Sequence, residues 1–273
     1  MMSQPPGAWE PRPVSRERKA ETRQRAITER VVAQGSCTAQ ELAAEFGVSI
    51  MTVHRDLDEL QRRGIVRKFH GGVTAQPSGV FEARMSYRLA SQTEEKSTIA
   101  RAALQYVQPG MSVLLDDSTS ILHMIPGLAE RAPLYIATTF LSGLRRLAEI
   151  MEESDLTVIG IGGRYDPAHD SFTGFQTIEQ IREIRADALF MSTSSISGDA
   201  AYHQEEPIMA LKRAMMNAAE KRYLLADHTK LGRVALHKIV PLTEFDLIIT
   251  DPQADPAILA EWDDSGIRYE IAT

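Results

Sequence analysis

The sequence predicts two domains of different class: a small helix-turn-helix head with a β wing, then a larger, mostly parallel α/β domain. Three observations carry this. The stretch "ELAAEFGVSIMTVHRDLDELQRRG", residues 41–64, sets a short amphipathic segment, a Gly and a longer polar helix in helix-turn-helix order. Beyond about residue 92, apolar Val/Ile/Leu runs alternate with helical patterns, as in a parallel sheet covered on both faces. Charge divides the same way: residues 16–70 hold 11 Lys+Arg against 8 Asp+Glu, whereas residues 71–273 hold 18 against 28. A basic head on an acidic body predicts that the head meets a polyanion.

The head is expected to run from residue 16 to 73. Arg16 to Gln34 reads as a charged helix ending at Gly35. Thr38 opens a second helix, with Glu41 placed to complete a capping box; Leu42 and Phe46 face inward and Gly47 ends it. Cys37 reads as a small residue at the start of that helix. Ser49 caps a third helix running to about Arg63, and "IVRKFHGG" supplies a strand and a Gly-Gly turn for a basic wing.

At 100° per residue, Val53, Leu57 and Leu60 form the buried stripe of the third helix. Met51, Arg55, Asp58 and Arg62 point away from it, with Thr52 and His54 on its flanks. A helix start offering hydroxyls, a guanidinium and orphan N–H groups suits a major groove. Ser49, Met51, Thr52, His54 and Arg55 are therefore the candidate groove-facing residues. Arg62, Arg67, Lys68 and His70 are the candidate backbone contacts, with Arg63 beside them.

The body follows a linker expected over 74–91 and fills 92–273. Glu94–Val107 reads helical and stops at Pro109-Gly110. "SVLLDDSTS" is a strand into a turn and helix, "LYIATT" a strand, Phe140–Met151 a helix, and "LTVIGIGG" a strand. Thr177–Ile184 is helical, "ADALFMSTSS" a strand and Glu206–Ala219 a helix. "KRYLLADHTKLG", "FDLIITD" and "IRYEIA" supply the remaining strands, with a helix over Pro256–Ser265. Ligands of such sheets bind beyond the carboxyl ends of the strands. The loops there are uniformly polar: Asp116, Asp117, Ser118, Thr119, Ser120; Thr138, Thr139; Gly162, Gly163, Arg164; Ser192 to Ser195; Asp227, His228 and Lys230. Carboxylates and hydroxyls suit sugar hydroxyls, while helix N-termini and lysines suit a phosphate. Lys212 lies beside the Ile208, Leu211, Met215, Ala218 stripe, placed to reach the loop carrying Asp117 to Ser120.

Composition narrows the classes. The chain has 273 residues, 43% hydrophobic and 25% charged, an ordinary globular balance. One cysteine excludes a disulfide framework and suits a reducing cytoplasm. No apolar run is long enough to span a membrane, the start lacks a signal-type apolar core, and residues 1–15 read as a Pro-rich disordered tail. "GIGGR" lacks a full dinucleotide fingerprint, and His169, His203, Asp227 and His228 follow no metal-ligand spacing. No cofactor and no metal are expected.

"TAQELAAEFGVSIMTVHRDLDELQRRGIVRKFHGG" resembles, without a gap, the N-terminal winged helix of the DeoR family of bacterial transcriptional regulators. His54 stands where that pattern has its first Arg, and Arg55 matches the second. The resemblance continues through the body. Asp117-Ser118-Thr119-Ser120 is similar to the family's D-G-T-T loop, Thr138-Thr139 to its T-N step and Gly162-Gly163 to its G-G step. Glu206 with Lys212 is similar to its E-A–K-R helix, and Asp227 with Lys230 to its D-[SH]-[ST]-K segment. The departures are Ser118 for Gly, Thr139 for Asn, and "STSSISGD" for a Gly-rich run. The resemblance implies a sensor domain with the fold of ribose-phosphate isomerases and glucosamine-phosphate deaminases. It implies a phosphorylated sugar or polyol effector, double-stranded operator DNA as partner, and a homo-oligomer, dimer or tetramer.

The expected function is thus a DNA-binding regulator, a repressor of a carbohydrate or polyol operon. The competing reading is an isomerase or deaminase with an appended head, in which Asp117, Glu206 and Lys212 supply base and cation. Turnover of ribose 5-phosphate, fructose 6-phosphate or glucosamine 6-phosphate separates the two.

Overall fold

A computed structural model describes residues 20–273 apart from 21, 25, 29, 32–35, 63–65, 70–71, 76–84 and 91. The expected tail 1–15, Arg63, His70 and residues 76–84 of the expected linker lie outside the described residues. So do the side chain of Arg67 and parts of the first expected helix. The chain divides into two compact units, Met1–Gln76 and Pro77–Thr273.

In the first unit, residues 20, 22–24, 26–28, 30 and 31 are helical. A two-residue strand, β1 (Ser36–Cys37), precedes helices α1 (Ala39–Phe46) and α2 (Ile50–Arg62). The wing is the antiparallel pair β2 (Val66–Phe69) and β3 (Gly72–Ala75), and β1 joins it in the order β1-β3-β2. Cys37 thus belongs to a strand, not to the start of α1, and is buried. The capping box is present: Thr38 Oγ1 accepts from Glu41 N, and Glu41 accepts from Thr38 N at 2.7 Å. Gly47 ends α1 at φ 61°, a left-handed conformation that costs glycine little. Leu42, Val53, Leu57, Leu60, Val66 and Val73 share one core.

The second unit is a seven-stranded sheet, all of whose pairs are parallel. It comprises β4 (Ser112–Leu115), β5 (Leu134–Thr138), β6 (Leu156–Gly160), β9 (Ala186–Met191), β12 (Ala219–Leu225), β14 (Leu247–Thr250) and β15 (Tyr269–Ile271). Their order is β15-β14-β12-β9-β4-β5-β6. The chain builds outward from β4 to β6, then returns to lay β9 against β4. That reversal is the topological switch point of a doubly wound sheet.

Helices cover both faces. Phe175–Arg182, Glu206–Ala218 and Pro256–Asp264 pack with Leu114, Leu189, Met191 and Leu224 on one face. Thr93–Ala103, Thr119–Leu128 and Leu141–Met151 pack with Val113, Leu115, Phe190 and Leu225 on the other. Adjacent residues of one strand therefore serve opposite layers, as the two-residue period requires.

Residues 74–91 are less of a linker than their composition suggests. β3 extends through Ala75, and Met85–Ala90 is a helix whose Met85 packs against the second layer. Four short strands also went unread in the sequence: β7 (Arg164–Asp166) with β8 (Ser171–Thr173), and β10 (Ser195–Ser197) with β11 (Ala200–His203). β13 (His237–Pro241), likewise unread, pairs with β11. Among the described residues, no helix is long and apolar enough to cross a membrane.

Candidate functional site

On the head, α2 presents its polar face as the angular reading expects. Val53, Leu57 and Leu60 are buried, while Met51, His54, Arg55 and Arg62 are exposed. Ser49 starts the helix: its Oγ accepts from Thr52 N at 3.2 Å and lies 2.9 Å from Thr52 Oγ1. Lys68 on β2 is paired with Asp58 and also donates to His54 O at 3.4 Å, and Arg62 pairs with Glu59. The Lys68 hydrogen bond holds the Asp58 carboxyl below its ordinary value. Arg62 and Lys68 thus have carboxylates of α2 beside them, whereas Arg55 has no hydrogen-bond or ion-pair partner among the described residues. Asp56, unflagged by sequence, is buried and accepts from Arg23 Nε at 2.6 Å and Gln24 Nε2 at 3.1 Å. It ties the first helical segment to the back of α2 and so fixes which face of α2 is presented.

In the second unit the switch point is a buried polar cluster. Asp116 directly follows β4, and its N–H donates to Phe190 O of β9 at 3.2 Å. Its Oδ1 accepts from Ser118 N at 3.0 Å; its Oδ2 accepts from Ser192 N at 2.8 Å and Lys212 Nζ at 2.6 Å. Lys212 Nζ also lies 3.6 Å from Asp117 Oδ1. Strand parity sends Asp116 after Leu114 toward the layer holding Lys212, and Asp117, beyond the end of β4, comes within reach of the same ammonium. Asp117 Oδ2 accepts from Ser171 Oγ at 2.9 Å. Burial alone would raise the Asp117 carboxyl, but Lys212, then His169 and Arg88, hold it below its ordinary value.

Ser118 Oγ caps the helix Thr119–Leu128, accepting from Ile121 N at 3.4 Å. The first-turn amides of this helix therefore open at the switch point, where an anion is favoured. Thr138 Oγ1 accepts from Phe140 N at 3.1 Å and so shapes the neighbouring loop, while Thr139 is fully buried beside it.

A second lobe continues the cluster at β12. Lys230 Nζ donates to Ser192 Oγ at 2.6 Å and lies 4.0 Å from Asp227 Oδ2. Burial would raise the Asp227 carboxyl; Lys230, a Thr229 hydrogen bond, Lys96 and His228 hold it low instead. Lys96, on Thr93–Ala103, is 3% exposed and donates to Arg88 O. Burial, then the neighbouring Lys230 charge, push its ammonium down to about 8. His228 Nδ1 lies 2.9 Å from Asp251 Oδ1, which extends the network to β14.

The sequence reading missed Lys96, Arg88, Ser171 and Asp251. For Lys96 a signal existed: Lys96, Ile99, Ala100 and Ala103 fall at helical spacing, placing a lysine on the buried stripe. Arg88 was hidden because its helix lay within the expected linker.

Asp117 to Ser120, Thr138, Thr139, Lys212, Asp227 and Lys230 thus come together at the carboxyl ends of adjacent strands. Gly162, Gly163, Arg164 and Glu206 are placed differently. Gly162 O accepts from Thr177 Oγ1 at 3.0 Å, so this step seats the helix Phe175–Arg182. Gly163 has φ 153°, and a Cβ there would lie 1.9 Å from Thr177 Oγ1 and 3.0 Å from Thr173 O. Gly163→Ala is therefore expected to lose about 1–3 kcal/mol through strain and overpacking, read as a lowered urea midpoint. An unchanged midpoint would mean that the loop relaxes freely. Arg164 and Glu206 are exposed, Arg164 on β7 and Glu206 in the first turn of its helix.

The comparisons agree with this two-part architecture. A DeoR-like helix-turn-helix domain matches residues 23–78, and a DeoR C terminal sensor domain matches residues 91–252. The uncharacterized HTH-type transcriptional regulator YgbI of Escherichia coli K12 is 32% identical over 84% of this chain and 89% of its own length. The glycerol-3-phosphate regulon repressor of the same organism is 29% identical over 93% of this chain and 99% of its own. Ribose 5-phosphate isomerase A from Methanocaldococcus jannaschii is a remote structural match, with 15% identity, a TM-score of 0.37, and coverage of 52% of this chain and 55% of that one. Matched in both units by that family's two domains, the chain belongs to the DeoR family and is a transcriptional regulator, not an isomerase with an appended head.

Proposed function

We propose that this regulator represses a carbohydrate or polyol operon in the cytoplasm. It binds its operator as a dimer or tetramer and answers to a phosphorylated sugar or polyol bound at the β4/β9 switch point. The observation that carries this reading is the convergence there of Lys96, Lys212 and Lys230 with Asp116, Asp117 and Asp227 around a capped helix N-terminus. Cations and first-turn amides suit a phosphate, while carboxylates and hydroxyls suit its sugar. Most of the cluster is buried; the side chains of Lys230 and His228, 19% and 28% exposed, form its more open edge. Entry therefore requires rearrangement of the covering segments, which gives an effector a means of favouring one arrangement of the protein over another. A coupling of about 1–3 kcal/mol would change operator affinity about 5–150-fold.

A melting-temperature screen of phosphorylated sugars and polyols tests this reading, followed by operator titration with each hit. A ligand at 100 times its Kd adds about 2.7 kcal/mol of stability. Failure of every phosphorylated compound to shift either melting or operator affinity would defeat the reading. The pH profile adds a sharper expectation. Phosphate binds the charged form of Lys96, so affinity holds below pH 8 and falls as pH rises through about 8, where Lys96 loses its proton. The phosphate's own second ionisation, near pH 6, weakens binding on the acid side. Lys96→Met should lower affinity and abolish the alkaline fall; an alkaline limb that survives in that variant would exclude Lys96 from the site.

A further inference from the structure

The end of β7, the turn that follows it and the start of the helix Glu206–Ala218 bring three potential metal ligands together outside the lysine cluster. His169, 2% exposed, has its Nδ1 3.1 Å from Asp166 Oδ2 and its Nε2 3.7 Å from Glu205 Oε1. One candidate ligand atom from each of the three residues lies within 4.8 Å of the others. Asp166 is fixed by its own turn, since Oδ1 accepts from Ala168 N at 2.9 Å. Glu205 is fixed through its backbone, whose N–H donates to His203 Nδ1 at 3.1 Å. The His203 ring stands 5.9 Å from that of His169 and backs the group.

The hydrogen bonding of His169 is what points to a ligand. A neutral imidazole has one N–H. With Asp166 accepting it from Nδ1, the Nε2 lone pair faces a carboxylate oxygen. That nitrogen is buried and has no hydrogen-bond partner among the described residues. Two acceptors face each other at a separation too long for a hydrogen bond, an arrangement that calls for positive charge between them. Zinc binds imidazole nitrogen at about 2.0–2.1 Å and carboxylate oxygen at about 2.0–2.2 Å, so two of its tetrahedral ligands stand about 3.4 Å apart. The observed gap needs only a few tenths of an ångström of closure. A carboxylate on the far nitrogen of a metal-bound imidazole is the usual outer-shell partner, which fits Asp166.

We propose that Asp166, His169 and Glu205 form a site for one divalent transition-metal ion, Zn2+ by preference. His169 Nε2 and the Glu205 carboxylate are the ligands, and Asp166 orients the imidazole. The remaining coordination positions are left to water or to oxygens of a bound small molecule. One imidazole with carboxylate oxygen favours Zn2+ over Mn2+, and Mn2+ over Mg2+.

The test is calorimetric titration of the EDTA-treated, desalted full chain with ZnCl2, MnCl2 and MgCl2 at pH 7. One saturable Zn2+ equivalent is expected, weakened at least tenfold in Glu205→Gln and about 10–100-fold in Asp166→Asn. Glu205 is half exposed and Asp166 a quarter exposed, so both variants retain the fold, with circular dichroism as the check. His169→Gln should remove binding where it folds. Absence of saturable Zn2+ binding into the millimolar range would overturn the proposal and leave a protonated His169 held between two carboxylates. Zn2+ binding unchanged in both carboxylate variants would overturn it too, by placing the metal elsewhere.

Discussion

Replacing Lys212 by methionine is expected to cost the protein about 3–5 kcal/mol of stability. The Lys212 ammonium lies 2.6 Å from Asp116 Oδ2 and 3.6 Å from Asp117 Oδ1, with all three side chains at most 5% exposed. Removing it leaves two buried carboxylates beside one another with little solvent to screen them. Asp116 keeps its bonds from the Ser118 and Ser192 amides, so the loss falls short of that for a wholly unpartnered charge. The consequence is global because Asp116 joins β4, β9 and the helix Glu206–Ala218 at one point. Trp262, 1% exposed in the second unit, reports the transition by fluorescence during urea unfolding. Asp116→Asn combined with Lys212→Met should recover part of the loss, giving a coupling energy of about 0.5–3 kcal/mol. A single Lys212→Met variant within about 0.5 kcal/mol of the parent would show that the pair adds nothing to folding.

This expectation revises what the sequence suggests for the same residue. From helical angles, Lys212 reaches toward the Asp117 loop, and the structure places it there. The angles do not say whether the ammonium is held by the protein or awaits a ligand. With Lys212 held by Asp116, an effector phosphate at this point competes with a buried carboxylate. Loss of response in a Lys212 variant is therefore confounded with loss of fold. Lys230, 19% exposed, is a cleaner probe of the ligand.

Legibility elsewhere follows the range of the contacts involved. The Thr38–Glu41 capping box, the Gly47 turn and the Val53, Leu57, Leu60 stripe are set by residues a few positions apart, and each is present as read. The central parallel strands β4, β5, β9 and β14 were legible because most of their residues are buried, so their apolar runs are nearly unbroken. β13 was not, since its own neighbourhood does not specify it. His237–Pro241 becomes a strand by lying against Ala200–His203, far back in the chain, which is itself held in a local hairpin with Ser195–Ser197. In the site, two adjacent aspartates look equivalent in sequence, and the matching motif selects Asp117. Only the folded chain shows that Asp116 takes the Lys212 hydrogen bond at 2.6 Å, with Asp117 farther from the same ammonium at 3.6 Å.

Replacing Arg55 by alanine is expected to cost about 1–3 kcal/mol of affinity for the natural operator and to flatten preference at one base pair. Arg55 is the exposed cation of α2 that has no carboxylate partner among the described residues, whereas Arg62 and Lys68 are paired with Glu59 and Asp58. A guanidinium without a partner on its own surface can turn its fork to the O6 and N7 of a guanine. It does so without first breaking an ion pair, so more of the contact energy remains for discrimination. Asp56, one residue on, is bonded to Arg23 on the opposite face and keeps α2 from rolling, which holds Arg55 at a fixed angle to the groove. The folded state makes no use of the Arg55 side chain, so Arg55→Ala should melt within about 0.5 kcal/mol of the parent. The measurement is operator binding against salt concentration, repeated on operators changed at single positions. A reader of bases loses specificity at one position and keeps its salt slope. A phosphate clamp weakens every sequence alike and lowers the slope by about one. If neither affinity nor slope changes, α2 does not present this face to DNA, and the groove-facing set from Ser49 to Arg55 must be reassigned.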